Sequence, residues 1–258
     1  MREAPKILHI LSGKRVFALA ALPGILSAML LISGCGGGEK ADPVLEGEKV
    51  MVTEGVQILH TGTSVQRDSV IRTFNNLNNP RLLHPYIHNA DLSVRIGIVS
   101  ALGNLKDRGA VDSLNRMLVT SDDYLLRETV IWALGELGDT SSVPVLIGII
   151  QDTTQNRDLR LGLPITLASF INTAYAGRVE QTFVDVLQNM SDDLELCSYV
   201  AVGILEVLKP GNYELFHARL PLLKELAAKR MQESGEDGIY INFQLTIEEL
   251  ETYEPGTL

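Results

Sequence analysis

Asp91-Leu92-Ser93-Val94-Arg95 followed by Ser100-Ala101-Leu102-Gly103-Asn104-Leu105, and Asp123-Tyr124-Leu125-Leu126-Arg127 followed by Trp132-Ala133-Leu134-Gly135-Glu136-Leu137, are one pattern written twice. In both copies Gly stands eight residues after Arg and Leu ten after it. A repeat at fixed spacing decides the architecture before any local reading does, because each unit then buries its apolar face against its neighbours. With Arg95 and Arg127 as anchors, weaker copies extend both ways. Arg67 leads to Phe74-Asn75-Asn76-Leu77, Arg160 to Leu167-Ala168-Ser169-Phe170, and Glu195, standing where Arg stood, to Val202-Gly203-Ile204-Leu205. The anchors 67, 95, 127, 160 and 195 lie 28, 32, 33 and 35 residues apart.

Each unit has room for two helices. Turn and helix-stop residues interrupt it at Asn78-Asn79-Pro80, Asp107-Arg108-Gly109, Gly138-Asp139-Thr140, Ala176-Gly177 and Pro210-Gly211. A second amphipathic run follows, as in Val111, Leu114 and Leu118 or Val143, Leu146, Ile149 and Ile150. Its i, i+3, i+4, i+7 spacing makes one apolar stripe. Asp91 and Asp123 are placed to cap the helices that follow them. Pro164 kinks the fourth unit's helix or marks its first turn.

Asp91-x-x-Val94-Arg95…Ala101-Leu102-Gly103 and Asp123-x-x-Leu126-Arg127…Ala133-Leu134-Gly135 resemble the short HEAT repeats, including the phycobilin-lyase-type variant. The resemblance covers about residues 50–230. It implies an all-α fold, an α–α superhelix of about five helical hairpins. Residues 231–258 remain as a cap or tail, and the alternation of Ile239, Ile241, Phe243, Leu245 and Ile247 with polar residues suggests a short extended cap there. The resemblance fails at Glu195, and Asp is missing four residues before Arg160 and before Glu195.

On the helical wheel the anchor −1, +3, +6, +7 and +10 positions form the core stripe. Anchor +1 and +5 lie opposite, and in a HEAT-like superhelix they line the concave surface. That row holds Arg72, Ser100, Glu128, Trp132, Leu161, Ile165, Leu196 and Val200 as a candidate partner-binding groove, with an apolar C-terminal half. Two occupants stay open for that half: a partner protein, or the chain's own residues 239–258, since terminal repeats need covering.

The first 34 residues form an address rather than part of the fold. Lys14 and Arg15 precede an apolar run over residues 16–32, as in a secretory signal. Leu31-Ile32-Ser33-Gly34-Cys35 then resembles the lipobox of bacterial lipoproteins. That resemblance implies cleavage before Cys35, lipidation of its thiol, and a membrane-anchored protein of the bacterial cell envelope. Gly36 leans the expectation to the periplasmic face of the outer membrane. Residues 35–48 read as a flexible tether and 49–230 as the repeat domain.

Arg2, Lys6, Lys14 and Arg15 against Glu3 give the address a net +3, so the remainder carries −13 against −10 for the whole chain. So acidic a surface disfavours nucleic-acid binding. Cys35 and Cys197 are the only cysteines, so lipidation of one leaves no internal disulfide. Phosphate-binding, nucleophile-elbow, zincin, C-x-x-C and EF-hand motifs are missing. His84 and His88 are four apart, but Pro85 lies between them and no acidic or Cys partner is near in sequence, so they make a weak metal pair. Some HEAT-repeat enzymes hold iron with His-Glu pairs; no His-Glu dipeptide occurs here, and no pigment-binding set is visible.

The expectation is therefore a non-enzymatic, cofactor-free docking scaffold for an unknown envelope protein. The rivals are an enzyme or metal- or cofactor-handling protein using His84, His88 or Cys197, and a structural envelope protein with a self-capped groove.

Overall fold

Thirteen α-helices follow from the caps and breaks that the repeat carries, and the computed structural model describes them over residues 42–254. The address, the tether as far as residue 41, Cys35 and residues 255–258 lie outside the described residues. Among those described there is no strand, and no helix is long and apolar enough to cross a membrane.

The helices pair into units. α1 (Pro43–Thr61) precedes α2 (Ser64–Phe74); a 3-10 segment (Pro80–Tyr86) precedes α3 (Leu92–Asn104); α4 (Val111–Thr120) precedes α5 (Tyr124–Leu137). α6 (Val143–Gln151) is followed by α7 (Arg157–Leu161) and α8 (Leu163–Ala168), and α9 (Ala176–Asn189) by α10 (Leu194–Val207). Last come α11 (Tyr213–His217), α12 (Leu220–Ser234) and α13 (Gly238–Thr252). The second helices stack in chain order, α2 on α3, α3 on α5, α5 on α8, α8 on α10 and α10 on α13. The fold is an all-α helical solenoid.

Three details depart from the sequence expectation. α1 begins at Pro43, where Asp42 caps it and Pro is tolerated in the first turn, so residues 43–48 are helix rather than tether. The break expected at Ala176-Gly177 is the start of α9. Pro164 stands where expected, in a first turn: the fourth unit's second helix is two short ones that meet at Gly162, and Pro164 lies in the first turn of the second.

The extended cap expected over residues 239–253 is the helix α13. Asp237 caps it through the backbone N–H groups of Ile239 and Tyr240, and Phe243, Ile247 and Leu250 make its buried face. Ile, Phe and Leu at alternate positions mimicked a strand period, but the i, i+4, i+7 set of those three residues is a helix stripe. α12 and α13 thus complete a sixth hairpin, one more than expected.

Every second helix starts on a side-chain cap. Thr63, Asp91, Asp123, Asn156 and Asp193 each accept the backbone N–H three residues on, at 2.8–3.4 Å. Four residues past the caps of the second, third and fourth units stands an arginine that binds carbonyls preceding the cap, and in the third and fourth units these end the preceding first helix. Arg127 Nε donates to Leu118 O and Arg160 Nε to Ile150 O, both at 3.0 Å. Arg95 Nη1 donates to Asn89 O and Ala90 O at 2.8 and 3.2 Å. A cation at these carbonyls also meets the negative end of the helix dipole.

In the fifth unit the residue four past the cap is Cys197, not Glu195. Its thiol faces Met190 O at 3.4 Å, the end of α9. The sequence register was therefore two residues out in that unit.

Several cap and turn carboxylates are held below their ordinary range. For Asp91 the Val94 N–H is the main cause, helped by His60. For Asp237 it is Arg230, helped by the Tyr240 N–H. Asp152 is lowered to about 2 by the Gln155 and Thr154 side chains. The unfolded chain, with Asp near 3.9, then binds protons that the folded chain refuses. Stability is complete above pH ~5 and falls as pH drops through ~4 toward 2. The urea midpoint is expected to be level between pH 7 and 5 and clearly lower at pH 3; a level midpoint at pH 3 contradicts this linkage.

Candidate functional site

Gly103 decides how closely α3 and α5 meet. A methyl group there would come within 2.9 Å of the Trp132 ring and 3.0 Å of Ala133 Cα, so glycine lets the helices close and seats the indole on α3. At the far end of α5, Gly138 takes the left-handed conformation (φ 59°) and frees the chain to turn into the next unit.

Along α5, Tyr124, Glu128 and Trp132 recur every four residues and so share one face, with Leu125 beside them. Trp132 is 39% exposed and Leu125 52%. On the next second helix Asp158, Leu161 and Ile165 make a parallel stripe, in which Ile165 is 46% exposed and Leu161 only 9%. α5 packs against both α7 and α8, so the two stripes lie side by side. Partial burial raises the Tyr124 phenol's pKa above its usual value, and the carboxylates of Glu128 and Asp158 raise it further. Toward the N-terminal side Ser100 is half-buried and Arg72 exposed.

Leu196 and Val200 do not belong to this surface. Both are fully buried. Counted from the Asp193 cap they are equivalent to Leu126 and Val130, which are core, and the positions equivalent to Glu128 and Trp132 are Ser198 and Val202. The α13 helix packs on α10, and Asn242 Nδ2 donates to Ser198 Oγ at 3.5 Å. The chain itself thus covers part of the C-terminal half of the expected groove, whereas Trp132, Leu125 and Ile165 stay open. Asp193-Leu194-Glu195-Leu196-Cys197 carried the missed signal, since it has the Asp-x-x-Leu form of Asp123-Tyr124-Leu125-Leu126.

The other candidates have structural roles. His84 Nε2 donates to Asp107 Oδ2 at 2.5 Å while Asp107 Oδ1 accepts the Gly109 N–H, so the pair ties the 3-10 segment to the next turn. His88 is exposed. Among the described residues no group of three or more His, Cys, Asp or Glu is placed to hold a metal. Cys197 is buried, and desolvation pushes its thiol up to about 12, so it offers no thiolate at neutral pH.

His60, missed in the sequence, donates through Nδ1 to Asp91 Oδ2 at 2.7 Å and borders an open cleft of about 500 Å³ between α1 and the start of α3. A second cleft, of about 460 Å³, lies where Arg157 binds Asp193 at 2.8 Å and Glu195 at 2.6 Å.

Residues 80–163 match the family model of the HEAT repeats. That stretch is similar to the HEAT repeats, and the described residues as a whole form an all-α helical solenoid. A crystal structure of an engineered protein is similar to it over 83% of this chain and 93% of that one, with a TM-score of 0.48 and 16% identity. None of the curated proteins matches.

Proposed function

We propose that the protein is a docking scaffold whose Trp132–Ile165 surface receives another protein, and that a lipidated Cys35 holds it on a membrane of a bacterial cell envelope, on the periplasmic face of the outer membrane where two membranes exist. The observation that carries the docking half is the exposure of Trp132, Leu125 and Ile165 on adjacent second helices, although neighbouring positions of the same layer are buried. Contiguous exposed apolar surface marks binding sites, and aromatic side chains dominate binding energy where they anchor. The tether half is supported by Leu31-Ile32-Ser33-Gly34-Cys35; more than one acyl chain is needed for a durable hold on a bilayer.

The test has two arms. A photoreactive side chain at Ile165 should give a discrete crosslinked species in cells, lost on Trp132→Ala; a crosslink that ignores this change removes the docking reading. Separately, the wild-type chain should take up labelled fatty acid and Cys35→Ala should not. Uptake by the variant removes the lipid anchor and leaves the docking reading untouched.

A further inference from the structure

Resting on the docking reading above, we infer that the Trp132 surface receives a segment carrying a basic side chain flanked by apolar ones, the base seated between Glu128 and Asp158.

Charge selects this occupant. Glu128 stands one turn past Tyr124 on α5, and Asp158 is on α7, which packs against α5, so the two carboxylates border one seam beside Tyr124. Both are exposed. The nearby cations are engaged elsewhere: Arg157 by Asp193 and Glu195, Arg127 by Leu118 O and Gln155, Arg160 by Ile150 O. Lys106 lies 4.0 Å from Glu136. Neither Glu128 nor Asp158 has a basic partner among the described residues.

An ammonium or guanidinium between them meets two carboxylates, each able to accept a charge-assisted hydrogen bond from it. Its apolar neighbours would cover Leu125, Trp132 and Ile165. The run from Tyr124 to Trp132 rises about 12 Å along α5, which two turns of a partner helix span.

The same charges argue against other occupants. An acidic segment or a phosphate backbone meets like charge. A second copy docking by two-fold symmetry would bring Glu128 and Asp158 against themselves, since an isologous contact presents the same patch from both sides. The net charge of −10 favours a basic partner over the whole surface as well.

Three synthetic peptides test this. They share one amphipathic apolar frame and carry Lys, Gln or Glu at the polar positions. The probe is the emission of Trp132, the chain's single tryptophan, in the full-length protein. The Lys peptide is expected to shift the emission to the blue and to bind about tenfold more tightly than the Gln peptide, with the advantage shrinking as salt rises.

In the double variant Glu128→Gln, Asp158→Asn that advantage disappears while the Gln peptide binds as before. Circular dichroism checks that this variant is folded. Equal binding of the Lys and Gln peptides, or best binding of the Glu peptide, overturns the basic-segment inference and leaves the docking surface standing. No binding by any peptide, while the Ile165 crosslink still depends on Trp132, also overturns it alone. If both the peptides and that crosslink fail, the docking reading falls with it.

Discussion

Ending the chain at Asp237 is expected to lower the thermal midpoint by about 10 to 20 °C. The cut removes Phe243 and Leu250, which are fully buried, and Ile247, which is 6% exposed. Each large apolar side chain contributes about 1.5–3 kcal/mol when buried, so at least about 5 kcal/mol of burial goes, a large share of the 5–15 kcal/mol that typically holds a protein folded.

The damage does not stop at the missing helix. α13 packs on both α10 and α12, and Tyr213 donates to Leu250 O at 3.2 Å, so the cut uncovers the fifth unit as well. Ser198, fully buried beneath Asn242, would be exposed. In a solenoid each unit is held by its neighbours, so the fifth hairpin should fray first and the central units last.

The truncated protein should bind a hydrophobic dye and be cleaved within residues 208–237. At low temperature its Trp132 emission should match the full chain, because that side chain sits two units away. If the truncated protein keeps its midpoint and binds no dye, α13 is an ornament rather than the sixth repeat unit.

The architecture was legible because its two strongest units differ little. Asp91 and Asp123 cap, Arg95 and Arg127 close the preceding segment, and Gly103 admits Trp132, so one physical role fell on one residue type in each copy. The outer units keep the roles and change the chemistry. Thr63 and Asn156 cap as Asp does, because each offers an oxygen to the third N–H of the helix.

Cys197 stands at the end of α9 where arginine would stand, but a thiol carries no charge to mark the place. A reading keyed to Asp and Arg therefore slipped by two residues and moved Leu196 and Val200 from core to groove. The surviving surface lies where the register was right. Trp132 and Ile165 were found from spacing, whereas the meeting of Glu128, Asp158 and Tyr124 needed the packing of two helices that no local pattern encodes.

Arg160→Ala is expected to destabilise the protein by about 3 kcal/mol, the largest effect among the anchor arginines. At 5% exposure Arg160 is the most buried of them. Its Nε donates to Ile150 O at 3.0 Å and its Nη2 lies 3.0 Å from Met190 Sδ, so one side chain joins α6 to the end of α9. Asp193 is 3.8 Å from Nη1.

Truncation removes a charge-assisted hydrogen bond, contributing about 1.5–3 kcal/mol, and the packing of the aliphatic stem. The cost stays below the about 3–5 kcal/mol of a stranded buried ion, because Asp193 keeps Arg157 at 2.8 Å. Arg160→Met separates the two contributions. It restores most of the volume, so the remaining loss, about 1.5–2 kcal/mol, reports the polar contacts of the guanidinium, chiefly the helix-end hydrogen bond.

Arg127→Ala should cost less than Arg160→Ala, since Arg127 is only half-buried and water can replace part of what it gives to Leu118 O and Gln155. Urea midpoints at pH 7 should therefore fall in the order wild type, Arg127→Ala, Arg160→Ala. Equal midpoints for Arg160→Met and wild type would show that the hydrogen bond of the arginine at the helix end is incidental, and that the anchor position holds the units together by volume alone.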